Sequence, residues 1–182
     1  MKFEKYKMSF TTGGLFYRES VKIAELYTAL SEWSDVREQV IEENLLQVQT
    51  VNSSKRISRE IISRLKCLTE DEMKLLVNGS RQDQIQILWV SICRKYKFIH
   101  DFVINVLREK YLRLNMILTT DDYNIFFNAK AQWHEELASL SRSTQAKLIE
   151  HLKIILPKFI HATRKSFFDK LTIWFTQRLR QK

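Results

Sequence analysis

The sequence predicts an all-α fold, a compact multi-helix bundle that follows an irregular N-terminal arm. Its 182 residues include three glycines and one proline, which leaves little of the turn chemistry that a many-stranded sheet requires. Apolar residues make up 45% of the chain, enough for a packed core, and they recur near the helical period in most segments. We therefore expect one helical domain over 1–182, with 1–68 and 69–182 as alternative lobes.

Hydrophobic periodicity divides the chain into elements. Residues 1–14 mix lysines, aromatic residues and the pair Gly13-Gly14, so they predict an extended or irregular arm. The segment QVQTVN at 47–52 is β-prone but short, and it is interpreted as a connector. Pro157 lacks a backbone donor and predicts a kink or break in its helix. Helices are expected over about 15–30, 34–46, 53–66, 69–78, 80–96, 98–114, 119–140, 144–160 and 163–179.

Short polar residues mark the expected helix starts. TEDE at 69–72 has the spacing of a capping box, in which the first and fourth residues satisfy each other's backbone donors. The expected N-caps are Ser34, Ser53 or Ser54, Thr69, Ser80, Thr119 or Thr120, and a residue within 141–144. Phe102, Val106 and Leu107 are expected to face inward. The other apolar residues that the later helices are expected to carry are Leu88, Trp89, Ile92, Cys93, Tyr123, Phe126, Phe127, Ala131, Trp133 and Leu137.

The net charge of the chain is strongly positive and unevenly distributed. A formal charge of +9 indicates a polyanionic partner, either nucleic acid or an anionic membrane surface. Residues 1–141 carry 20 Lys/Arg against 19 Asp/Glu, whereas residues 142–182 carry 10 against 2. The excess of positive charge therefore lies at the C-terminal end.

Motifs for catalysis, metal binding and nucleotide binding are missing from the sequence. Cys67 and Cys93 are not in CxxC spacing, and the four histidines have no recognised metal-ligand spacing. Glycine occurs only at 13, 14 and 79, so neither a P-loop nor a dinucleotide fingerprint can be written. His134-Glu135-Glu136 is the one suggestive group, but adjacent helical residues diverge by about 100°, which favours a surface cap or an ion pair. We expect no enzyme activity, no metal, no cofactor and no small-molecule substrate.

The sequence also bears on compartment. Its first residues, MKFEKYKMSFTTGG, do not form the apolar run of a signal peptide, and no apolar stretch is long enough to span a membrane. The expected location is the cytoplasm, without stable membrane association.

The segment SSKRISREIISRLK at 53–66 is the sharpest candidate for a binding surface. At the helical angle, Arg56, Arg59, Ser63 and Lys66 fall on one arc, and the aliphatic residues Ile57, Ile61 and Leu65 fall opposite. Such a helix can lie along phosphates or enter a major groove, where arginine makes bidentate contacts. A basic face that contacts only water is an equally weighted alternative.

Three other basic regions are weaker candidates. The C-terminal stretch interleaves Phe167, Phe168, Leu171, Trp174 and Phe175 with Lys and Arg, which suits a membrane surface, a nucleic-acid edge or simply a core-facing stripe. Arg94-Lys95-Tyr96-Lys97 lies near a predicted helix end, where the helix dipole stabilises cations without any ligand. The arm lysines Lys2, Lys5 and Lys7 could reach a phosphate backbone or stay disordered.

Several stretches of the sequence, in order and over most of its length, resemble the BrxA family of the bacteriophage exclusion (BREX) defence systems. The matching stretches are Ser9-Phe10-Thr11-Thr12-Gly13-Gly14-Leu15, Glu43-Asn44-Leu45-Leu46-Gln47, Ser54-Lys55-Arg56-Ile57-Ser58-Arg59-Glu60, Gly79-Ser80-Arg81, Phe127-Asn128-Ala129-Lys130-Ala131 and Trp133-His134-Glu135. This resemblance implies a helical fold like that of the NusB antitermination factor. It further implies double-stranded DNA binding and a non-catalytic role beside the methyltransferase and ATPase of the system.

The leading hypothesis is a DNA-binding accessory protein that holds double-stranded DNA through basic helical faces, with other BREX proteins as further partners. A protein-interaction adaptor that docks acidic surfaces of larger defence enzymes is the alternative from another class, and RNA binding is a close neighbour of the first hypothesis. A peripheral membrane protein using residues 163–180 is a third. The residues predicted to bind DNA are Lys55, Arg56, Arg59, Ser63, Arg64, Lys66, Arg164, Lys165, Arg178 and Arg180.

Overall fold

The computed structural model describes residues 5–8, 14–115, 117–150 and 152, and within them the chain is helical with no strand. The all-α prediction is confirmed there, while the likeness to NusB stays a prediction. The named helices are α1 (Tyr17–Leu30), α2 (Trp33–Glu42), α3 (Val51–Leu65), α4 (Glu70–Asn78), α5 (Arg81–Lys95), α6 (Lys97–Phe102), a π-helical segment (Val103–Leu107), α7 (Arg108–Leu112), α8 (Thr120–Ala131) and α9 (Glu135–Ala138). Residues 142–150 are also helical.

Helix α5 lies at the centre of the bundle. It packs against α1, α3, α4 and α6, and Trp89 and Ile92 on it are almost fully buried. Phe98 and Phe102 of α6 extend this core into an aromatic cluster, where their rings lie 5.3 and 5.2 Å from the ring of Phe126 on α8. Edge-to-face aromatic packing of this kind adds to the stabilisation from apolar burial.

Three capping boxes begin α4, α5 and α8. In each, the N-cap hydroxyl accepts from a backbone N–H three residues on, and the acidic side chain at that position accepts from the N-cap backbone N–H. These two bonds satisfy donors that every helix start leaves unpaired. The pairs are Thr69 with Glu72, Ser80 with Asp83, and Thr119 with Asp122. All three N-cap predictions are confirmed, and Ser141 also accepts from the Thr144 backbone N–H.

Two other N-cap predictions were wrong. Helix α2 begins at Trp33 behind Glu32, whose side chain makes no cap bond, so Ser34 lies inside the helix. Helix α3 begins at Val51, and its N-cap is Thr50, whose Oγ1 accepts from the Ser53 backbone N–H at 3.2 Å. The connector is thus shorter than expected, because the cap chemistry of Thr50 brings the β-prone end of QVQTVN into the first helical turn.

The later helices are more broken than the apolar pattern predicts. A single helix was expected from Thr119 to Leu140, but α8 ends at Ala131 and the short α9 follows. Trp133 lies in the break and is 67% exposed, so its predicted place within one continuous helix was wrong. Leu137, on α9, is fully buried. The predicted kink at Pro157, the last helix at 163–179 and its aromatic stripe lie outside the described residues.

No helix among the described residues is long and apolar enough to cross a membrane.

Candidate nucleic-acid interface

Helix α3 has an apolar inner face and a cationic outer face, as the helical arc predicts. Ile61 and Leu65 are buried in the core beside α1, α2 and α5, and Ile57 is partly buried. The inner side also includes the buried small side chains of Ser54 and Ser58. The exposed cations of the outer face, called the α3 basic face below, are Lys55, Arg56, Arg59 and Lys66.

Glu60, the only acidic residue of α3, is neutralised inside the protein. Its Oε1 lies 2.6 Å from Nε of Arg64, and the hydroxyl of Tyr96, between α5 and α6, donates to the same oxygen. The side chains of Glu60 and Arg64 are 11% and 4% exposed, so water screens this pair weakly. The α3 basic face is therefore left without a carboxylate from its own helix.

Arg64 was predicted to bind DNA, but the structure places it in the interior. Its Nη1 donates to the carbonyl of Gly14 at 2.9 Å, and its guanidinium lies over the rings of Phe16 and Tyr96. Its partners Glu60, Gly14 and Tyr96, and not its position on the helical arc, hold it inside the protein. It anchors the chain before α1 and is not presented to a surface ligand.

Ser63 sits at the edge of the α3 basic face. It is half-buried, and its hydroxyl donates to the carbonyl of Glu60 at 2.8 Å, a local bond common for serine in helices.

The cations of the α3 basic face have no ion-pair partner among the described residues. Lys66 instead holds its amine 5.7 Å from the ring centre of Trp33, which itself stacks on Tyr27 at 3.8 Å. Both rings are half-buried. One end of the face is therefore bordered by a pair of stacked aromatic rings from α1 and α2.

The basic cluster at 94–97 is mainly structural. The Arg94 guanidinium donates hydrogen bonds to both carboxylate oxygens of Glu72, at 2.5 and 2.7 Å. It also donates to the carbonyl of Cys67 at 2.9 Å. Burial by itself raises the pKa of Glu72, but the bonds from Arg94 and Thr69 outweigh it and hold that pKa below its usual range. Arg94 thus ties the end of α5 to the start of α4, and Tyr96 is buried.

The N-terminal arm is anchored by Tyr6, a contact that sequence reasoning missed. Its hydroxyl donates to Asp101 at 2.7 Å and its backbone N–H donates to Glu136 at 2.7 Å. The ring packs against Phe98 and lies 4.1 Å from that of His134. Burial and the neighbouring Asp101 raise the pKa of Tyr6. Lys5 and Lys7, on either side, are exposed, while Lys2 lies outside the described residues.

Within the His134-Glu135-Glu136 group, His134 and Glu136 pair, and this contact is the expected ion pair when His134 is protonated. Nδ1 of His134 lies 3.0 Å from Oε1 of Glu136, but His134 is buried rather than on the surface. Burial opposes ionisation of Glu136, yet the hydrogen bonds from Tyr6 and His134 hold its pKa below the usual range. The group fastens the arm to α9.

Both cysteines are free thiols. Cys93 is buried, which raises the pKa of its thiol to about 12, whereas Cys67 is only half-buried. In the part of the chain that the structure describes, no three His, Cys, Asp or Glu side chains converge on a point that could hold a metal ion. The remaining residues predicted to bind DNA, Arg164, Lys165, Arg178 and Arg180, lie outside the described residues.

A family model and two curated relatives that match this chain carry the same description, BrxA. The BrxA family model matches residues 4–163. The BREX protein BrxA of Bacillus cereus (strain H3081.97) is 30% identical over 148 residues, which are 81% of this chain and 74% of that protein. The BREX protein BrxA of Escherichia coli O9:H4 (strain HS) is 31% identical over 140 residues, 77% of this chain and 66% of that protein.

The fold also matches a solved structure, the crystal structure of an uncharacterized protein from Magnetospirillum magneticum. The TM-score is 0.68 at 23% identity, over 84% of this chain and 79% of the other. Similarity at that identity shows the fold alone. The family model and the two relatives, by contrast, each cover most of this sequence, and the chain therefore belongs to the BrxA family of the BREX phage-defence systems.

Proposed function

We propose that this protein is a non-catalytic DNA-binding accessory protein of its BREX system and holds double-stranded DNA through the α3 basic face. The observation that carries the proposal is the separation of charge on α3. Four cations are exposed, while the one acidic residue, Glu60, is paired inside the protein with Arg64. A surface of this kind attracts a polyanion, because no carboxylate of the same helix competes for its cations.

The dimensions of the face suit a nucleic-acid backbone. Lys66, which ends the face, follows Arg56 by ten positions along the chain. At about 1.5 Å per residue this separation is about 15 Å, over which one strand of DNA carries about four phosphates. Because one guanidinium group can donate two hydrogen bonds to phosphate oxygens, we expect Arg56 and Arg59 to make the principal contacts.

Membership in the BREX family supports a role next to DNA, because these systems act against phage. The two free thiols fit a reducing compartment, so we place the activity in the cytoplasm, where phage DNA arrives. Contacts to phosphate carry no sequence information, and binding is expected to depend little on base sequence.

A salt titration tests the proposal. The anisotropy of a labelled duplex of about 20 base pairs is measured between about 50 and 200 mM salt for wild type and for Arg56→Ala/Arg59→Ala. Each phosphate contact contributes about −0.9 to the slope of log K against log salt, so the variant is expected to have a slope shallower by about 1.8. Arg113→Ala/Arg142→Ala, which removes two exposed arginines elsewhere, is the matched control. No binding by wild type at low salt, or binding insensitive to salt, would overturn the proposal.

A protein-interaction adaptor is the second candidate function, and exposed apolar side chains favour it. Leu114, Ile117 and Ile125 are 91%, 73% and 70% exposed, which is more typical of a protein interface than of a solvated surface. Recovery of partner proteins after nuclease treatment, with Arg56→Glu/Arg59→Glu beside wild type, separates the two functions. Loss of DNA binding with partners retained supports the first function, and loss of partners in Ile117→Ser/Ile125→Ser, with DNA binding retained, supports the adaptor. Competition between duplex DNA and duplex RNA at fixed salt ranks those two ligands.

A further inference from the structure

A second candidate binding site lies between the beginning of α1 and the beginning of α5. It is an open groove of about 950 Å³, which is in the range of sites that hold a nucleotide-sized group. The groove is separate from the residues of the α3 basic face, none of which lines it. The side chains and backbone that matter here belong to Gly14, Phe16, Tyr17, Arg18, Ser80 and Arg81.

Two exposed arginines from different helices line this groove. Neither Arg18 nor Arg81 forms an ion pair within the described part of the chain. The acidic residue that lines the groove is Glu19, which is half-buried. The nearby carboxylate of Asp83 is occupied by the backbone N–H and the hydroxyl of Ser80, at 3.2 and 2.7 Å. The groove therefore carries more positive than negative charge.

Contacts among the lining residues, and from Gln84 and Arg64, hold part of the groove in place. The guanidinium of Arg81 lies 5.7 Å from the ring centre of Tyr17, and the Tyr17 hydroxyl donates to Gln84 at 2.5 Å. The carbonyl of Gly14 is held by the buried Arg64. Such support means that ligand binding needs little further ordering of these groups, which favours affinity.

We propose that this groove binds a phosphodiester group of the nucleic acid between the guanidinium groups of Arg18 and Arg81. The inference rests on the proposed function and adds a second contact point to it. A guanidinium group can donate two parallel hydrogen bonds to the oxygens of one phosphate, whereas a lysine amine acts as a point charge. The partly exposed rings of Phe16 and Tyr17 offer an apolar surface to the sugar or base attached to that phosphate.

The test compares Arg18→Ala/Arg81→Ala with wild type in the same anisotropy titration. The expected result is a slope shallower by about 1.8, because two phosphate contacts are removed, and a lower affinity at every salt concentration. Arg113→Ala/Arg142→Ala is again the control and is expected to keep the wild-type slope. An unchanged slope in the groove variant, or an equal loss in the control, overturns the site.

Substitution of Gly14 tests the groove without removing charge. A Cβ built on Gly14 meets nothing within 4 Å, so a larger side chain has room and the fold is expected to persist. Gly14→Trp is expected to fill the groove and weaken duplex binding, whereas Asn124→Trp, which adds the same ring at an exposed position on α8, is expected to bind as wild type does. Melting temperatures of both variants verify folding, and equal duplex affinity for a folded Gly14→Trp contradicts the proposal.

Free nucleotide is the other source of the same phosphate chemistry. Titration with AMP distinguishes it: binding of AMP that depends on Arg18 and Arg81, with duplex binding unaffected by their loss, overturns the phosphodiester proposal. Failure of the proposed function has a different signature, because wild type itself then shows no salt-dependent binding of the duplex.

Discussion

Glu60 and Arg64 form an ion pair one turn apart on α3, with 2.6 Å between Oε1 and Nε, and the protein interior encloses both side chains. The same helix exposes Arg56 and Arg59 to solvent. Of the arginines on α3, Arg64 therefore stabilises the fold, whereas Arg56 and Arg59 face the solvent. This division can be measured, because the two kinds of arginine should respond differently to substitution.

Arg64→Met is expected to lower the free energy of unfolding by about 3–5 kcal/mol, because it leaves the Glu60 carboxylate buried without its partner. Arg59→Ala is expected to change stability by less than about 0.5 kcal/mol, as an exposed substitution, while reducing the salt slope of DNA binding. Urea denaturation and anisotropy together check both statements. Wild-type stability of Arg64→Met, or an equal loss of stability in Arg59→Ala and Arg64→Met, would contradict these separate roles.

Gly79→Ala is expected to destabilise the turn between α4 and α5. The added Cβ would lie 2.4 Å from the carbonyl oxygen of Leu75, so the backbone must shift, at a cost of about 1–3 kcal/mol. Gly14→Ala is the matched control, since its Cβ meets nothing within 4 Å. Thermal melts of the two variants should separate clearly, and equal melting temperatures would show that the close approach at Gly79 has no energetic consequence.

Tyr6→Phe tests the anchor of the N-terminal arm. It keeps the ring against Phe98 but removes the donor to Asp101, with an expected loss of about 1 kcal/mol. Tyr6→Ala removes the ring as well and should release the arm. Limited trypsin digestion reports this, because cleavage after Lys5 and Lys7 should be fastest in Tyr6→Ala. Cleavage at the wild-type rate in that variant would mean that Tyr6 does not hold the arm.

Stability is expected to fall in acid. Burial opposes ionisation of Glu72 and Asp101, but hydrogen bonds from Arg94 to the first, and from His100 and Tyr6 to the second, hold both pKa values below the ordinary range. Both carboxylates therefore stabilise the folded protein above their unfolded pKa values, about 4, and that contribution disappears as pH falls through the lower folded values.

Denaturation midpoints measured from about pH 7 to about pH 2 check this dependence. Glu72→Gln is expected to be less stable near neutral pH, because it loses the paired grip of Arg94, and to show a shallower decline in acid. If the stability of Glu72→Gln falls as steeply in acid as that of wild type, other groups cause the acid sensitivity. Glu70→Gln, an exposed change on the same helix, is the control.

The part of the fold that local chemistry determines could be predicted from the sequence. Capping boxes need only a short polar residue and an acid three positions later, so Thr69, Ser80 and Thr119 could be identified directly. The start of α2 could not, because the Glu32 side chain makes no cap bond and the helix is held by packing on α1 and α3. Tertiary packing there overrides the local preference that pointed to Ser34.

For the candidate interface, the exposed arc of α3 followed from periodicity, but the interior place of Arg64 did not. The residues that fix it, Gly14 and Tyr96, lie 50 and 32 positions away, and no spacing within the helix indicates them. The Tyr6 anchor was missed for the same reason, since Asp101 and Glu136 are remote in sequence. The groove between α1 and α5 likewise joins two segments that are distant along the chain.

The π-helical segment at Val103–Leu107 determines the rotation of α7, the helix that continues directly from it, about the helix axis. Its extra residue is marked by the bond from the Arg108 N–H to the carbonyl of Val103 and advances α7 by about 100° relative to a regular helix. That offset brings Lys110 to Asp122 at the start of α8, with 2.8 Å between Nζ and Oδ2. Deletion of the exposed Asn105 would therefore rotate α7 about its axis. Lys110 would turn away from α8, while α6 would keep its packing against the core.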